Sequence, residues 1–421
     1  MTQQPPPLAA VAALDDHDGP PPEMLQALRQ RLDTARPFNI GFPGATDFDY
    51  TALTELFAAH LLNNVGDPWI DGVAANHTKP IEREVVTFAA DLLRASADDR
   101  WGYVTTGGSE GNLYALHLAR DLLPHAIAFY SDCAHYSIPK ALRLLNLDAV
   151  RIRANPWGQI DYDDLTRQLD RRRHRPAIVI ATVGTTMTEA VDDVRRISAI
   201  LDHLAIRDRF IHADAALSGI PLALLDAQQR PGFDFADGAD SISISGHKFI
   251  GSPMPSGIVV VRATHRDRVA RTVGYTAAPD ATISGSRSGH APLVLWYAIH
   301  KHGREGLKKR AEQARQLAAY TKTRLDDLGW PSHRYDHAFT VVFRTPPESV
   351  LRKWVLATDN GWSHLITMPG ITADTIDAFL TDMANAVAAT ADDRTPTKPV
   401  LPTQPPSSGR NGLKPVGSRR S

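Results

Sequence analysis

Seven short apolar or β-branched runs punctuate the chain between residues 101 and 261: WGYVT, AIAFY, DAVRI, AIVIATV, FIHAD, SISIS and GIVVV. Each is too short for a buried helix and nearly continuous in apolar character, the pattern of a strand covered on both faces. Helical periodicity fills several of the gaps, as in EGNLYALHLARDLL and VDDVRRISAILDHLAI. This alternation predicts an α/β fold on a mostly parallel, doubly wound sheet, in which ligands bind at the carboxyl ends of the strands. From about Gly289 the pattern changes to a long helix over 303–328, a strand TVVFR, a helix in PPESVLRKWVLA, a strand HLITM and a last helix in TADTIDAFLTDMANAVAA. The expected organisation is a disordered Pro-rich arm over 1–25, an N-terminal segment and large domain over 26–288, a small C-terminal α+β domain over 289–392 and a disordered basic tail over 393–421.

Composition narrows the function. At 421 residues with a net charge of −1, the chain has no global field to attract nucleic acid or an anionic membrane. The basic cluster RRRHR at 171–175 reads as the solvated end of a helix, and the basic tail as a solvated tail. One cysteine, Cys133, cannot form an intrachain disulfide, which suits a reducing cytoplasm. No apolar run approaches the length of about 20 residues that a spanning helix needs.

Five places at predicted strand ends carry polar chemistry. Gly107, Gly108 and Ser109 follow WGYVT and open a helix, so their amides offer an anion site, although a plain turn with a serine cap has the same sequence. The segment has neither of the glycine patterns of nucleotide-binding loops. His135 stands between a strand and a helix, where it could stack on a ligand or move a proton. Thr185 and Thr186 place hydroxyls at another strand end. Asp214 ends FIHAD and could hold a protonated ring nitrogen. His212 and Asp214 lack a third residue at metal-ligand spacing, so no metal is expected. Lys248 closes SISISGHK: desolvation lowers an ammonium pKa and frees a nucleophilic amine that can join a carbonyl. An anion site, a stacking group, a carboxylate and a lysine are together what pyridoxal 5'-phosphate requires.

The blocks TTGGSEGN, AHYSIPK, GTTMTEAVDD, HADAALSG and SISISGHKFIGSPMPSG resemble, in order, those of the group II pyridoxal-phosphate-dependent amino acid decarboxylases, nearest to the histidine/serine decarboxylase branch. NIGFPGATDFDY, NNVGDPW, HTKPIEREV and SGSRSGHAPLVLWYAI extend the likeness from about Phe38 to about Leu380. The resemblance implies fold type I, the aspartate-aminotransferase-like fold, and a cytoplasmic homodimer acting on an amino acid, histidine first, with serine and valine as alternatives. It makes Lys248 the Schiff-base lysine, Asp214 the partner of the pyridinium nitrogen, Ala216 a residue packed on the ring and His135 the histidine stacked over it. Gly107, Gly108, Ser109, Ser245 and His247 fall in the phosphate region, and Thr186 near the ring hydroxyl. Tyr275 matches a mobile-loop tyrosine that returns a proton to the α-carbon. Residues 42–48 match a segment that admits substrate. The chain departs from the pattern at Cys133-Ala134, where more polar residues are expected, and at Ser256, where relatives often carry cysteine.

Overall fold

The computed structural model describes residues 22–391 except residue 73 and residues 274–277. Most of the Pro-rich arm, all of the basic tail and Tyr275 therefore lie outside the described residues. The seven apolar runs form seven strands, each within a residue or two of its expected bounds: β1 (Trp101–Thr105), β2 (Ile127–Ser131), β3 (Asp148–Ile152), β4 (Ala177–Thr182), β5 (Arg209–Asp214), β6 (Ser241–Ser245) and β7 (Gly257–Val261). They make one sheet in the order β1-β7-β6-β5-β4-β2-β3. Neighbours from β6 through β3 pair in parallel. β7 runs antiparallel to both β1 and β6. The reason is the connection 246–256, which holds no helix and so cannot make the crossover that a parallel neighbour needs.

Both faces of the sheet are buried, and alternate residues of a strand serve opposite cores. On β4, Ile178 and Ile180 join Trp101, Tyr103, Tyr114 and Phe210. Val179 and Ala181 join Phe129, Ile211, Ile242 and Ile244 on the other side. Helices cover the sheet. Before β1 come α1 (Pro22–Ala35), α2 (Thr54–Ala59) and α3 (Lys79–Leu92). The crossovers are α4 (Gly108–Leu122), α5 (Ser137–Leu144), α6 (Tyr162–Asp170), α7 (Val194–His203) and α8 (Gly219–Ala223). Asp161 and Asp193 cap α6 and α7 by accepting from the Asp164 and Arg196 amides.

After β7 come α9 (Ala263–Asp267) and the ribbon of β8 (Arg271–Val273) and β9 (Ala278–Asp280). Helix α10 (His290–Asp327) starts earlier than the expected 303, because Gly303, at φ 61° and ψ 179°, is a break between two helical halves rather than a start. A second sheet, all antiparallel, follows in the order β10 (Ser332–His333), β11 (Thr340–Arg344), β13 (Trp362–Ile366), β12 (Ala357–Asp359). α11 (Glu348–Leu351) is one turn, shorter than expected, since the chain bends to bury Trp354 before β12. α12 (Ala373–Ala391) closes this layer, with Ile376 and Phe379 packed on Val341, Phe343 and Leu365. Among the described residues no helix is long and apolar enough to cross a membrane.

The β1–β7 pairing tolerates no side chain at Gly102, where a Cβ would stand 2.2 Å from the Val259 carbonyl oxygen. Gly102→Ala should lower stability by about 1–3 kcal/mol, the range of overpacking in a filled core. A urea midpoint unchanged from the parent would contradict this.

Candidate active site

The turn that carries Lys248 is fixed from several directions. Ser245 donates its amide to the Ala216 carbonyl (2.9 Å) and Gly246 to the Ser256 carbonyl (2.8 Å). The Lys248 carbonyl accepts from the Ala45 amide (3.2 Å), so the segment 42–48 lies against the lysine backbone. Arg310 donates to the Phe249 carbonyl (3.3 Å) and pairs with Asp47. The Phe339 ring sits 5.9 Å from that of Phe249. The Lys248 ammonium is enclosed, and burial pushes its pKa below the ordinary range while the carboxylates of Asp214 and Glu189 pull it back up.

Strand alternation divides the work of β6. Ile242 and Ile244 fill the core, while the serines face α4. Ser243 donates to the Gly108 carbonyl (3.2 Å). A Cβ on Gly111 would fall 2.2 Å from the Ser243 hydroxyl, so small residues on both elements let α4 come close.

That approach brings Asn112 to Asp214. The Asn112 amide nitrogen donates to Asp214 Oδ2 (2.8 Å) and to the Ser137 hydroxyl (3.0 Å). A second Asp214 oxygen accepts from the Ala216 amide (3.3 Å). Asn112 Oδ1 meets His212 Nε2 at 2.9 Å, and His212 Nδ1 meets the Ser241 hydroxyl at 2.8 Å. Because the carboxylate can only accept, Asn112 must present its oxygen to His212. His212 then donates from Nε2 and accepts from Ser241 at Nδ1. Full burial pushes the His212 pKa down to about 4, which keeps the ring neutral. From Ser137 the chain of bonds reaches His135 Nδ1 (2.8 Å). His135 is half-buried and its pKa is lowered by burial, raised by Asp214 and lowered by Lys248.

The start of α4 provides an anion cradle. No side chain caps it. Gly107 has φ 153°, a conformation open to glycine. At Gly108 a Cβ would stand 2.6 Å from the Ser245 hydroxyl and 3.5 Å from Ala216 Cβ. Nearby, His247 Nδ1 donates to the Ser256 carbonyl (2.9 Å), and burial lowers its pKa. A phosphate fits the free first-turn amides and the hydroxyl there, with the His247 imidazole beside them. His135 and Lys248 both feel the Asp214 carboxylate, so a histidine, a lysine and a carboxylate share one neighbourhood beside this cradle.

Ser109 and Thr186 are exposed, the first on the opening turn of α4 and the second on the loop after β4. Thr185 is the buried threonine of that loop, and its hydroxyl accepts from the Ala190 amide (3.0 Å) and meets Thr188 (2.8 Å). Asn112, Ser137 and Glu189 were missed by the sequence reading, and His212 was weighed only as a metal ligand. A signal existed for two of them. Asn112 lies one helical turn beyond Gly108 and His212 two residues before Asp214, so each shares a face with a residue already singled out.

A cofactor cradle at the carboxyl edge of a mixed seven-stranded sheet, followed by a small antiparallel layer, defines an α/β pyridoxal-phosphate enzyme of fold type I. The crystal structure of L-methionine decarboxylase from Streptomyces sp. 590 matches with a TM-score of 0.81 and 26% identity, covering 91% of this chain and 98% of that one. Residues 45–330 match the pyridoxal-dependent decarboxylase conserved domain. The chain is 44% identical to a histidine decarboxylase of Mesorhizobium japonicum, over 86% of this chain and 97% of the relative. It is 42% identical to a histidine decarboxylase of Morganella morganii, over 78% and 87%. The chain belongs to the pyridoxal-dependent decarboxylase family: it is a carboxy-lyase that uses pyridoxal 5'-phosphate.

His212 gives the site a pH signature. Its ordinary pKa of 6.5 applies to the unfolded chain, and the fold lowers it to about 4. Protonation therefore favours the unfolded state: the His212 contribution is complete above pH 6.5 and is lost as pH falls towards 4. The full loss is about 3 kcal/mol. Urea midpoints at pH 7.5, 6 and 5 should show this slope in the parent and a shallower one in His212→Gln. An equal slope in both would assign the acid loss to other groups.

Proposed function

We propose that this enzyme removes the α-carboxyl group of L-histidine, giving histamine and carbon dioxide. The observation that carries the reading is the joining of Asp214 to His135 through Asn112 and Ser137, with Lys248 in the field of the same Asp214 carboxylate. The relatives named histidine decarboxylase, at 40–44% identity, support histidine as the substrate.

Bound pyridoxal phosphate supplies an electron sink for the pair released when the bond from the α-carbon to the carboxylate breaks. The protein supplies the rest. Lys248 would hold the aldehyde, and its lowered pKa favours the free amine needed for that attachment. Asp214 would hold the proton of the ring nitrogen, and Asn112, fixed by His212, keeps the carboxylate aimed. Gly107, Gly108, Ser109, Ser245 and His247 would take the phosphate, with Ala216 against the ring and Thr186 towards its hydroxyl. His135 would cover the ring. Its Nδ1 is held by Ser137, which leaves Nε2 to carry a proton to or from the substrate. Tyr275, outside the described residues, completes the proposal as the group that returns a proton to the α-carbon. Phe42 and Phe48, both exposed here, would screen the cleft from water.

A cytoplasmic homodimer completes the reading. Helix α1 buries none of its residues, and Leu25, Leu28 and Leu32 form an exposed apolar stripe along it. This surface suits a second copy of the chain. Size-exclusion chromatography with light scattering should give twice the chain mass.

Lys248→Ala should abolish release of carbon dioxide, and turnover retained in that variant would remove the lysine from its role. Asp214→Ala should lower kcat by about 10²- to 10³-fold, the effect of losing one preorganised electrostatic partner. Supplied with each of the twenty amino acids, the enzyme should turn over histidine best, with histamine as the amine. Preference for methionine, serine or valine would overturn the substrate assignment and leave the reaction type standing.

A further inference from the structure

Glu189 is an anomaly in the loop after β4. It is 1% exposed, and at φ 57° it occupies the left-handed region that disfavours a residue with a side chain. Its side chain holds together three separate parts of the molecule. Oε1 accepts from the Ser218 hydroxyl (3.0 Å), four residues beyond Asp214. Oε2 accepts from the amides of Phe339 (3.0 Å) and Thr340 (2.9 Å) and from the Thr340 hydroxyl (2.7 Å), at the start of β11. Its own amide donates to the Thr185 carbonyl (2.8 Å), and its carbonyl meets His337 Nε2 at 3.1 Å. All four hydrogen-bond donors to the carboxylate are neutral, and the Arg315 and Arg334 guanidinium groups lie close enough to act on its charge.

The placement of Phe339 gives this arrangement a route to the reaction. The Phe339 ring lies against Phe249, the residue after Lys248. The Phe339 carbonyl accepts from the Thr367 amide (3.0 Å), which fixes the strand start from its other side. A shift of the second sheet relative to the first would therefore move the Lys248 turn, and Glu189 resists such a shift with its four bonds, beside the single hydrogen bond from His364 to the Met187 carbonyl. It also adds a second negative charge to the surroundings of Lys248, after Asp214.

We propose that Glu189 is a positioning residue for the decarboxylation: its carboxylate pins the start of β11 to the loops after β4 and β5, and so fixes the place and the charge environment of Lys248. The proposal rests on the assignment of Lys248 as the residue that holds the cofactor.

The test compares Glu189→Gln and Thr340→Val with the parent, each as holoenzyme. Glu189→Gln removes the charge and turns one acceptor into a donor facing donors. Thr340→Val removes a single hydroxyl and keeps the charge. Glu189→Gln should lose about tenfold in kcat while KM for the substrate changes by less than about threefold, because the misplaced group acts in the chemical step. With the carboxylate gone, the cationic form of the Lys248 nitrogen is less favoured. Its protonation midpoint, read from the absorbance of the bound cofactor against pH, should move to lower pH by about 0.5 to 1 unit. Thr340→Val should lower kcat by a smaller factor and leave that midpoint in place.

Parent-like kcat in both variants overturns the proposal. So does a loss of activity in Glu189→Gln that follows a lowered melting temperature with an unmoved midpoint, since a purely structural role predicts that result. Should Glu189→Gln fail to fold, parent values of kcat and KM in Thr340→Val overturn it alone. Borohydride reduction and peptide mapping separate the two layers of the argument. Label on Lys248 with no effect of the variants sinks the Glu189 proposal, whereas label on another lysine sinks the assignment beneath it.

Discussion

Asp214 is a carboxylate at 4% exposure, and the architecture around it follows from the need to satisfy it. A buried charge persists only where hydrogen bonds replace water. Here the main donor is Asn112, which must reach across from α4 to the end of β5. Reaching it requires a helix closer to the sheet than large side chains allow. Gly108 and Gly111 on α4 and Ser243 and Ser245 on β6 provide that closeness. Asn112 must also present its nitrogen rather than its oxygen, because the carboxylate can only accept, and the His212 ring complements that choice by donating to the Asn112 oxygen. One electrostatic requirement thus accounts for the small residues of two elements and the histidine of a third.

The same network explains why part of the site was legible in the sequence and part was not. Lys248, Asp214 and His135 stand directly at strand ends, where a doubly wound sheet collects its ligands, so their position along the chain was informative. The strands themselves were legible because burial on both faces makes them apolar runs with sharp ends. Asn112 shares a helix face with Gly108, but its local sequence, like that of Ser137 at the start of α5, does not say what that face meets. Only the distance between α4 and the sheet assigns them. The direction of β7 is another property of this kind: GIVVV reads the same whether parallel or antiparallel, and the helix-free connection before it decides. Gly303 shows the reverse error, in which a glycine taken as a helix start breaks a longer helix instead.

Ser256 illustrates how a single departure from the family pattern is felt locally. Its hydroxyl is buried without a hydrogen-bond partner among the described residues, while its backbone carbonyl holds His247 and its amide lies 3.3 Å from the same ring. A thiol at this position would lose little by going unpaired, whereas a hydroxyl carries a desolvation cost of about 1–3 kcal/mol. A Cβ on Gly246 would come within 2.7 Å of that hydroxyl, so the residue facing it must be without a side chain. The backbone role of the position is thereby independent of the side chain, and the cost falls on stability rather than on the placement of His247.

Lys248 sits between opposing demands. To join a carbonyl it must shed a proton, which burial favours; to be rejoined after each turnover it must stay in place, which a desolvated and neutral side chain does not ensure. Charge and geometry answer these demands separately. Asp214 and Glu189 limit how far burial lowers the pKa. Position is set through the backbone instead, by Ala45 at its carbonyl and by Arg310 and Phe339 at the following residue. These contacts come from the N-terminal segment, the second half of α10 and the second sheet, parts of the chain that contribute little to the cofactor cradle. Their common role is to hold the lysine turn. The reacting amine is thus free to move through its four-carbon stem while the turn that carries it is not.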